Sequence, residues 1–290
     1  MRLNLTIALL LLLSEMSWAQ DSTTIFFQDV AWSPDGAYLY YSAIRHKKDW
    51  SDYHDTLWAV YRVKTDGSGL QRVSAKSVYV AVSPDGKWVA TGHFSGTQKE
   101  IITIDSVGKI FNVSALAGPG GTPSWSPDGK KLAFTSRTDT TLEIYTADRD
   151  GKNAKRLTFS KGYKAFNPSW SPDGKTILYY LEKSDRKDQV HIIPSGGGSA
   201  SNVTADTLHN IFPGWTPDGR IIYCRVIGKQ RSVVITDIQR KNETVIPNVS
   251  SFFARVSPDG RRLAFILDQG IFIANIDGSD RKLATDKISN

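Results

Sequence analysis

Cysteine is almost absent from the sequence, since Cys224 is the only one among 290 residues. A single thiol cannot form an intrachain disulfide, even in an oxidising compartment. Cys224 stands in a largely apolar stretch, residues 221–226, which predicts a buried and unreactive thiol. The fold is therefore expected to depend on its hydrophobic core alone.

Long apolar runs are also absent beyond the N-terminus. Residues 5–13 form a mostly apolar run, far shorter than the roughly 20 residues of a transmembrane helix. Arg2 precedes this run, and Ser17-Trp18-Ala19 follows it with the small-x-small pattern of a cleavage site. The sequence predicts a signal peptide over residues 1–19 and a mature chain that is periplasmic or secreted, without a membrane span. No cysteine stands at the cleavage site, so no lipid anchor is expected there.

Concentrated basic segments are missing, although the net charge is +7. The positive side chains are scattered through segments such as 130–131, 152–156 and 261–262, which is typical of solvated turns. The sequence has neither a clustered basic helix nor a stacking motif, and nucleic acid is therefore not an expected ligand. It also lacks the G-x-S-x-G motif of a serine nucleophile, which argues against a peptidase.

The sequence does contain a repeated turn motif, Ser/Thr-Pro-Asp-Gly. The aspartates of its six copies are 41 to 50 residues apart, a spacing typical of propeller blades. In such a turn the hydroxyl can hydrogen-bond to the backbone, proline sets φ, and glycine accepts the left-handed conformation. The copies occupy residues 33–36, 83–86, 126–129, 171–174, 216–219 and 257–260.

Strand-like segments surround every copy of the motif. Four copies are preceded by tryptophan, namely Trp32, Trp125, Trp170 and Trp215. Further strand-like segments follow each turn, and helical periodicity is nearly absent. The pattern predicts an all-β fold, a single six-bladed β-propeller over residues 20–290 with four antiparallel strands per blade and tryptophan wedges between blades. Residues 23–27 are expected to add a strand that helps to close the ring.

The motif and its flanks resemble the TolB-type propeller repeat, a WD40-like repeat also called PD40. The third blade matches best, through residues 123–130, Leu132-Ala-Phe, Ile144-Tyr and Leu157-Thr. The resemblance covers nearly all of residues 23–286 and implies a six-bladed propeller. TolB proteins of the Tol envelope system carry an α/β domain before the propeller, whereas this sequence passes from the predicted signal peptide directly into the first blade. It is therefore similar to the propeller part alone, and an accessory role in the Tol system is one alternative.

One candidate recognition surface is an inserted loop in the first blade. Loops between second and third strands are expected on the face opposite the Ser/Thr-Pro-Asp-Gly turns, which we call the loop face. The loop over residues 45–55 lies there and is dense in aromatic and charged side chains, including Trp50, Tyr53 and His54. Such side chains on a rigid scaffold favour partner recognition.

A second candidate surface is the mouth of the central channel. Residues two positions before each turn serine or threonine are mostly small, as expected for a crowded axial position. Residues four positions before it are half polar and half aromatic, and we expect them to surround the mouth and to contact a peptide terminus or a sugar. They are Asp29, Tyr79, Thr122, Asn167, Phe212 and Phe253.

Histidines offer an alternative chemistry on the same face. Imidazole and oxygen ligands can hold a divalent metal, as the related propeller lyases that act on acidic sugars do. The candidates are His54, His93, His191 and His209, although the sequence has no close-spaced pair such as H-x-x-x-H. No cofactor is predicted.

The main hypothesis from the sequence is an exported, monomeric and non-enzymatic binding or scaffold propeller that recognises a protein or polysaccharide partner in the periplasm. A metal-assisted lyase or hydrolase that uses the histidines is the enzymatic alternative.

Overall fold

The computed structural model describes residues 23–96, 98–114, 120–138 and 141–289. Within these ranges the chain forms strands β1 to β24 and one 3-10 helix, Asp55–Leu57. The predicted signal peptide, residues 1–19, lies outside the described residues. No helix in the described ranges is long and apolar enough to cross a bilayer.

The strands form six antiparallel sheets of four consecutive strands each, which confirms the predicted six-bladed propeller. The first strands of successive blades contact one another around the axis, and the fourth strands lie outermost. Blade one consists of Thr23–Trp32 (β1), Tyr38–Lys47 (β2), Ala59–Lys64 (β3) and Gln71–Ala75 (β4). Blade two consists of Ser77–Val82 (β5), Trp88–Ser95 (β6), Gln98–Asp105 (β7) and Ile110–Asn112 (β8).

The other four blades repeat this order. Blade three consists of Gly120–Trp125 (β9), Lys131–Arg137 (β10), Leu142–Asp148 (β11) and Lys155–Arg156 (β12). Blade four consists of Lys164–Trp170 (β13), Thr176–Glu182 (β14), Gln189–Pro194 (β15) and Ser201–Asn202 (β16). Blade five consists of His209–Trp215 (β17), Ile221–Ile227 (β18), Gln230–Thr236 (β19) and Thr244–Val245 (β20). Blade six consists of Ala254–Val256 (β21), Arg262–Leu267 (β22), Gly270–Asn275 (β23) and Lys282–Thr285 (β24).

Each Ser/Thr-Pro-Asp-Gly turn joins the first strand of a blade to the second and is closed by its own polar groups. In blade four the Ser171 hydroxyl donates to Asp173 Oδ1 at 2.6 Å and accepts from the Thr176 amide at 3.0 Å. Gly174 has a φ of +71° and donates its amide to the Ser171 carbonyl at 2.9 Å. The hydroxyl-to-aspartate bond recurs in the other five blades. The motif is therefore architectural in all six copies.

The motif tryptophans lie between neighbouring blades, as predicted. The indole nitrogens of Trp32, Trp125 and Trp215 donate to the carbonyls of Arg255, Ala81 and Ser169 at 3.0 to 3.1 Å. Each acceptor lies two positions before the turn of the preceding blade. Trp170 differs, because its buried Nε1 has no hydrogen-bond partner among the described residues.

The ring closes where blade six meets blade one, a junction that we call the seam. Residues 23–27 do not form the expected additional strand, because they are the first half of β1 and pair with β2. Blade six has four consecutive strands of its own, and within the described residues no strand is exchanged across the seam. Apolar side chains of both blades pack together there, and the Tyr41 hydroxyl donates to the Lys287 carbonyl at 2.7 Å.

The hydrophobic core is a series of clusters between adjacent blades. Ala133 and Ile144 of blade three, for example, pack against Ala165 and Ile177 of blade four. Cys224 is buried as predicted, and burial raises the pKa of its thiol to about 12.

Candidate functional site

The first strands of blades one to five carry β-bulges near their loop-face ends, and these bulges position five of the six predicted channel-mouth residues. Tyr79, Thr122, Asn167 and Phe212 have positive φ values of +61°, +51°, +51° and +54°. In blades two, four and five the register shift falls at this residue, between Val78 and Val80, Phe166 and Ser169, and Ile211 and Gly214. A bulge turns its extra residue out of the normal alternation of the strand. The sequence spacing located these positions, but the bulges decide where their side chains point.

The six predicted residues lie at three places, and Thr122 contributes to two of them. Asp29, Thr122 and Asn167 line an axial cavity of about 250 Å³. Tyr79 and Thr122 line an adjoining pocket. Phe212 and Phe253 pack on each other, with ring centroids 4.3 Å apart. The structure therefore does not assemble a single ring of equivalent side chains.

Asp29 and Arg255 form a partly buried charge pair in the axial cavity. Asp29 accepts hydrogen bonds from the amides of Val30 at 2.9 Å and Val80 at 3.2 Å, and Arg255 Nη2 lies 4.0 Å from its Oδ1. Removal from bulk water raises the pKa of Asp29 and lowers that of Arg255. Both shifts disfavour the charged forms. The attraction between the two groups at 4.0 Å is therefore too weak to offset their loss of hydration. The Arg255 side chain is 24% exposed because the cavity is open to solvent.

The adjoining pocket has a volume of about 540 Å³, and we call it the Lys99 pocket. It draws residues from the first four blades and opens on the loop face. Its lining residues are Asp55, Tyr79, Phe94, Gln98, Lys99, Gly121, Thr122, Thr135, Arg137, Leu142 and Phe166.

Lys99 lies between aromatic rings and glycines. Its ammonium is 4.9 Å from the centroid of the Tyr79 ring and 5.7 Å from that of Phe94, which are cation–π distances. Its aliphatic stem passes over Gly92 and Gly121, where an added Cβ would lie only 3.3 Å from Lys99 Cδ and 3.2 Å from Lys99 Cε. Burial lowers the pKa of Lys99, and the charge of Asp55 opposes that shift.

Tyr79 lines the Lys99 pocket, and Thr122 lines both this pocket and the axial cavity. The Tyr79 hydroxyl accepts a hydrogen bond from Gln28 Nε2 at 3.2 Å, and burial raises its pKa to about 12. On the far side of the pocket, Phe166 stacks on Tyr180 at 5.5 Å, and Tyr180 meets Phe212 edge-on at 5.6 Å. A chain of aromatic contacts therefore continues from the pocket through the buried Tyr180 to blade five.

The blade-one loop presents the predicted aromatic side chains to solvent. Trp50 and Tyr53 are 45% and 44% exposed. Trp50 has a φ of +61° and stacks on the buried His46 at 3.6 Å. The Tyr53 hydroxyl donates to Asp55 Oδ1 at 2.6 Å, and Asp55 also lines the Lys99 pocket. The loop and the pocket thus form one continuous surface.

Comparison with known proteins places this architecture in a family. A family model for the TolB β-propeller domain matches residues 54–284. The chain belongs to the TolB β-propeller family. A comparison with curated proteins found no match.

Solved TolB structures are similar to this TolB-family propeller in fold. A TolB-type protein of Agrobacterium tumefaciens has a TM-score of 0.68 at 22% identity, with 81% of this chain and 87% of that chain covered. TolB of Acinetobacter baumannii has a TM-score of 0.66 at 23% identity, with 90% of this chain and 62% of that chain covered. This chain therefore spans less than two thirds of the Acinetobacter protein. An oligogalacturonate lyase in complex with manganese has a TM-score of 0.61 at 14% identity, with coverages of 90% and 77%.

The histidines of this TolB-family propeller have separate local partners. His54 caps the 3-10 helix by accepting from the Thr56 amide at 3.2 Å, and His93 Nδ1 lies 3.1 Å from the Ser77 hydroxyl. His209 Nδ1 lies 3.4 Å from Asp188 Oδ2. Burial lowers the pKa of His191 to about 4 and also lowers that of His93. In the part of the chain that the structure describes, no group of three metal-binding side chains is found.

Sequence reasoning missed most of the Lys99 pocket. Phe94, Lys99 and Arg137 lie on second and third strands or at their ends, whereas the expected residues were counted along the first strand only. Lys99 stands two positions before the mostly apolar segment 101–104, and a half-buried charge at this position was the available signal. Its neighbours come from other blades, and a single sequence does not show them.

Proposed function

We propose that this TolB-family propeller is an exported, non-enzymatic binding module that recognises a partner through its loop face. The observation that carries the proposal is the continuity of the Lys99 pocket with the exposed aromatic side chains of the blade-one loop. The predicted partner class, a protein or a polysaccharide in the periplasm, matches this combination of a cavity and exposed aromatic rings.

The dimensions of the surface support binding. A volume of about 540 Å³ lies in the range of ligand pockets. Exposed tryptophan and tyrosine side chains are enriched at the energetic centres of interfaces. Both features rest on a scaffold of six sheets, so little conformational entropy is lost when a partner binds.

The Tyr79 hydroxyl fits recognition better than proton transfer. A general acid or base is most effective when its pKa is near the operating pH. Burial raises the pKa of Tyr79 to about 12, so its hydroxyl stays protonated at neutral pH. The stacked ring then serves as a surface for Lys99 and for a ligand.

A capture experiment with matched variants tests the proposed function. The mature chain, residues 20–290, is immobilised and incubated with envelope extract in wild-type, Trp50→Ala and Val107→Ala forms. Val107 is 86% exposed in the turn between β7 and β8, on the opposite face. We expect the same partner with wild type and Val107→Ala, and a loss of at least tenfold with Trp50→Ala. Identical capture by all three forms would contradict recognition through the loop face.

Polysaccharides and metals need separate measurements. Quenching of tryptophan fluorescence by envelope polysaccharide, absent in Trp50→Ala, would assign the partner to that class. Elemental analysis of the purified protein addresses the enzymatic alternative. A tightly held divalent ion that His93→Ala or His209→Ala releases would contradict a purely binding role.

Export has its own test. Full-length protein produced in a Gram-negative host is expected in the periplasmic fraction, with Gln20 as its first residue by mass spectrometry. Retention of residues 1–19 in a cytoplasmic product would contradict the predicted signal peptide.

A further inference from the structure

The Lys99 ammonium has aromatic contacts but no counter-ion. The hydrogen bonds and ion pairs of the described residues leave it without a carboxylate partner, and the rings of Tyr79 and Phe94 are its neighbours. The charge of Asp55 acts on it from the rim without forming an ion pair. A half-buried cation without a partner is unfavourable, and an anionic group that enters the pocket would relieve this cost.

Some of the other polar groups of the pocket already have partners. The hydroxyls of Thr122 and Thr135 bond to each other at 2.9 Å, and the Tyr79 hydroxyl accepts from Gln28. The remaining walls include the apolar side chains of Phe94, Leu142 and Phe166. An apolar body that carries a carboxylate would match these walls together with the Lys99 ammonium.

Asp55 narrows the choice further. Its carboxylate lines the same pocket as the cations Lys99 and Arg137, so one of the two positive charges is balanced and one remains for a ligand with a single negative charge. A carboxylate oxygen also accepts hydrogen bonds from backbone amides. The pocket thus presents a cation for one terminal charge and an acceptor for the amides that precede it.

We propose that the Lys99 pocket binds the free carboxyl terminus of a partner protein whose last residue is apolar or aromatic. The terminal carboxylate pairs with Lys99, and the last side chain packs on Phe166 and Leu142. Capture of a chain terminus by a preformed pocket is a known mode of peptide recognition. This assignment rests on the proposed function and specifies the partner as a protein.

A pair of synthetic peptides tests the assignment. N-acetyl-glycyl-glycyl-phenylalanine with a free carboxylate is compared with its C-terminal amide by calorimetry on the mature chain. We expect the free acid to bind about tenfold more tightly or better, as hydrogen bonds to a charged partner typically provide. Lys99→Met is expected to remove this preference, and Lys99→Arg to retain it.

Lys109→Met is the matched control. Lys109 also lies over an aromatic ring, 4.8 Å from the centroid of Phe111, but it is exposed in the turn before β8. We expect this variant to bind the free acid as wild type does. Thermal melting of all variants identifies any loss of folding, and the preserved charge of Lys99→Arg keeps the comparison informative if Lys99→Met is unstable.

Several outcomes would overturn the assignment. Equal affinity for acid and amide, or no binding of either at millimolar concentration, would exclude carboxylate recognition. Binding of hydrocinnamate but not of the peptide would show a small-molecule site, and binding of glucuronate instead would show a sugar acid site. If Trp50-dependent capture persists in any of these cases, the loop-face function stands and only the terminus assignment fails.

Discussion

Several of the channel-mouth residues have backbone conformations that suit their side chains poorly. Tyr79, Thr122 and Phe212 have positive φ values, which non-glycine residues other than asparagine and aspartate rarely adopt. Asn167 has the same conformation, which asparagine tolerates better than other non-glycine residue types do. The surrounding blades must therefore stabilise the bulges. The bulges in turn place these side chains outside the normal alternation of the strand.

Substitution of Asn167 tests this strain. Asn167→Val places a β-branched side chain at a φ of +51° and should lower the free energy of unfolding by about 1–3 kcal/mol. Asn167→Gly removes the same amide group without the steric conflict and should cost less. Urea unfolding of both variants measures the difference, and equal losses would show that the side chain, not the backbone, determines stability here.

Ser171 is a second residue with a defined role. Ser171→Ala removes the acceptor of the Thr176 amide and the donor to Asp173, so we expect a loss of about 1–3 kcal/mol in the free energy of unfolding. Lys175→Ala, in the same turn but exposed, should change it by less than about 0.5 kcal/mol. A neutral Ser171→Ala variant would mean that proline and glycine alone define the turn.

At the scale of the element, the repeat determines what could be predicted. The turn copies set the number of blades, and the segments between them set the four strands, because each local pattern agrees with the global fold. The bulges and the Lys99 pocket were not predictable in this way, since the pocket collects residues from several blades. Arg255 also departs from the small residues expected at the axis, because it faces Asp29.

Blade five contains an ionic network that predicts acid sensitivity. Arg225 binds both carboxylate oxygens of Glu243, at 2.6 and 2.7 Å, and Arg240 adds a contact at 3.1 Å. The hydrogen bonds from Arg225 lower the pKa of Glu243 from 4.5 to about 2. As the pH falls, Glu243 is therefore protonated in the unfolded state before it is protonated in the folded state. Its contribution to stability is present above pH 4.5 and is lost as the pH falls towards 2.

Glu243→Gln should therefore flatten the acid dependence of stability. The difference in urea midpoint between wild type and variant is expected to be largest above pH 4.5 and to shrink between pH 4.5 and 2. Glu182→Gln, which interrupts only an exposed pair with Lys164, should leave the pH profile nearly unchanged. A difference that is independent of pH would contradict the role of the Glu243 charge.

At the scale of the whole molecule, the seam depends on packing and a few hydrogen bonds. Trp32 donates to the Arg255 carbonyl, and Arg262 lies over its ring at 4.9 Å. Gln269 Nε2 donates to the Thr24 hydroxyl at 2.6 Å. As at the other blade junctions, no sheet in the described ranges is shared between the two blades, so side-chain contacts hold the seam together.

Trp32→Ala and Trp215→Ala form a matched pair that tests the seam. Each removes a large side chain from an equivalent inter-blade position, with an expected loss of about 3–5 kcal/mol in the free energy of unfolding. Hydrogen exchange should distinguish the two variants by the strands in which exchange becomes faster. Trp32→Ala is expected to speed exchange in β1 and β21–β24, whereas Trp215→Ala should act on β13 and β17. Equal exchange at the seam in both variants would mean that closure does not depend on Trp32.

The contiguity of each blade also has a consequence for the order of folding. The tryptophan bonds within the ring join residues 44 and 46 positions apart, whereas the bond of Trp32 to Arg255 joins residues 223 positions apart. Blades can therefore form one after another as the chain becomes available, each on the completed surface of the last. The seam can form only after blade six has been completed. Until then the apolar face of blade one is accessible to chaperones or to another copy of the protein.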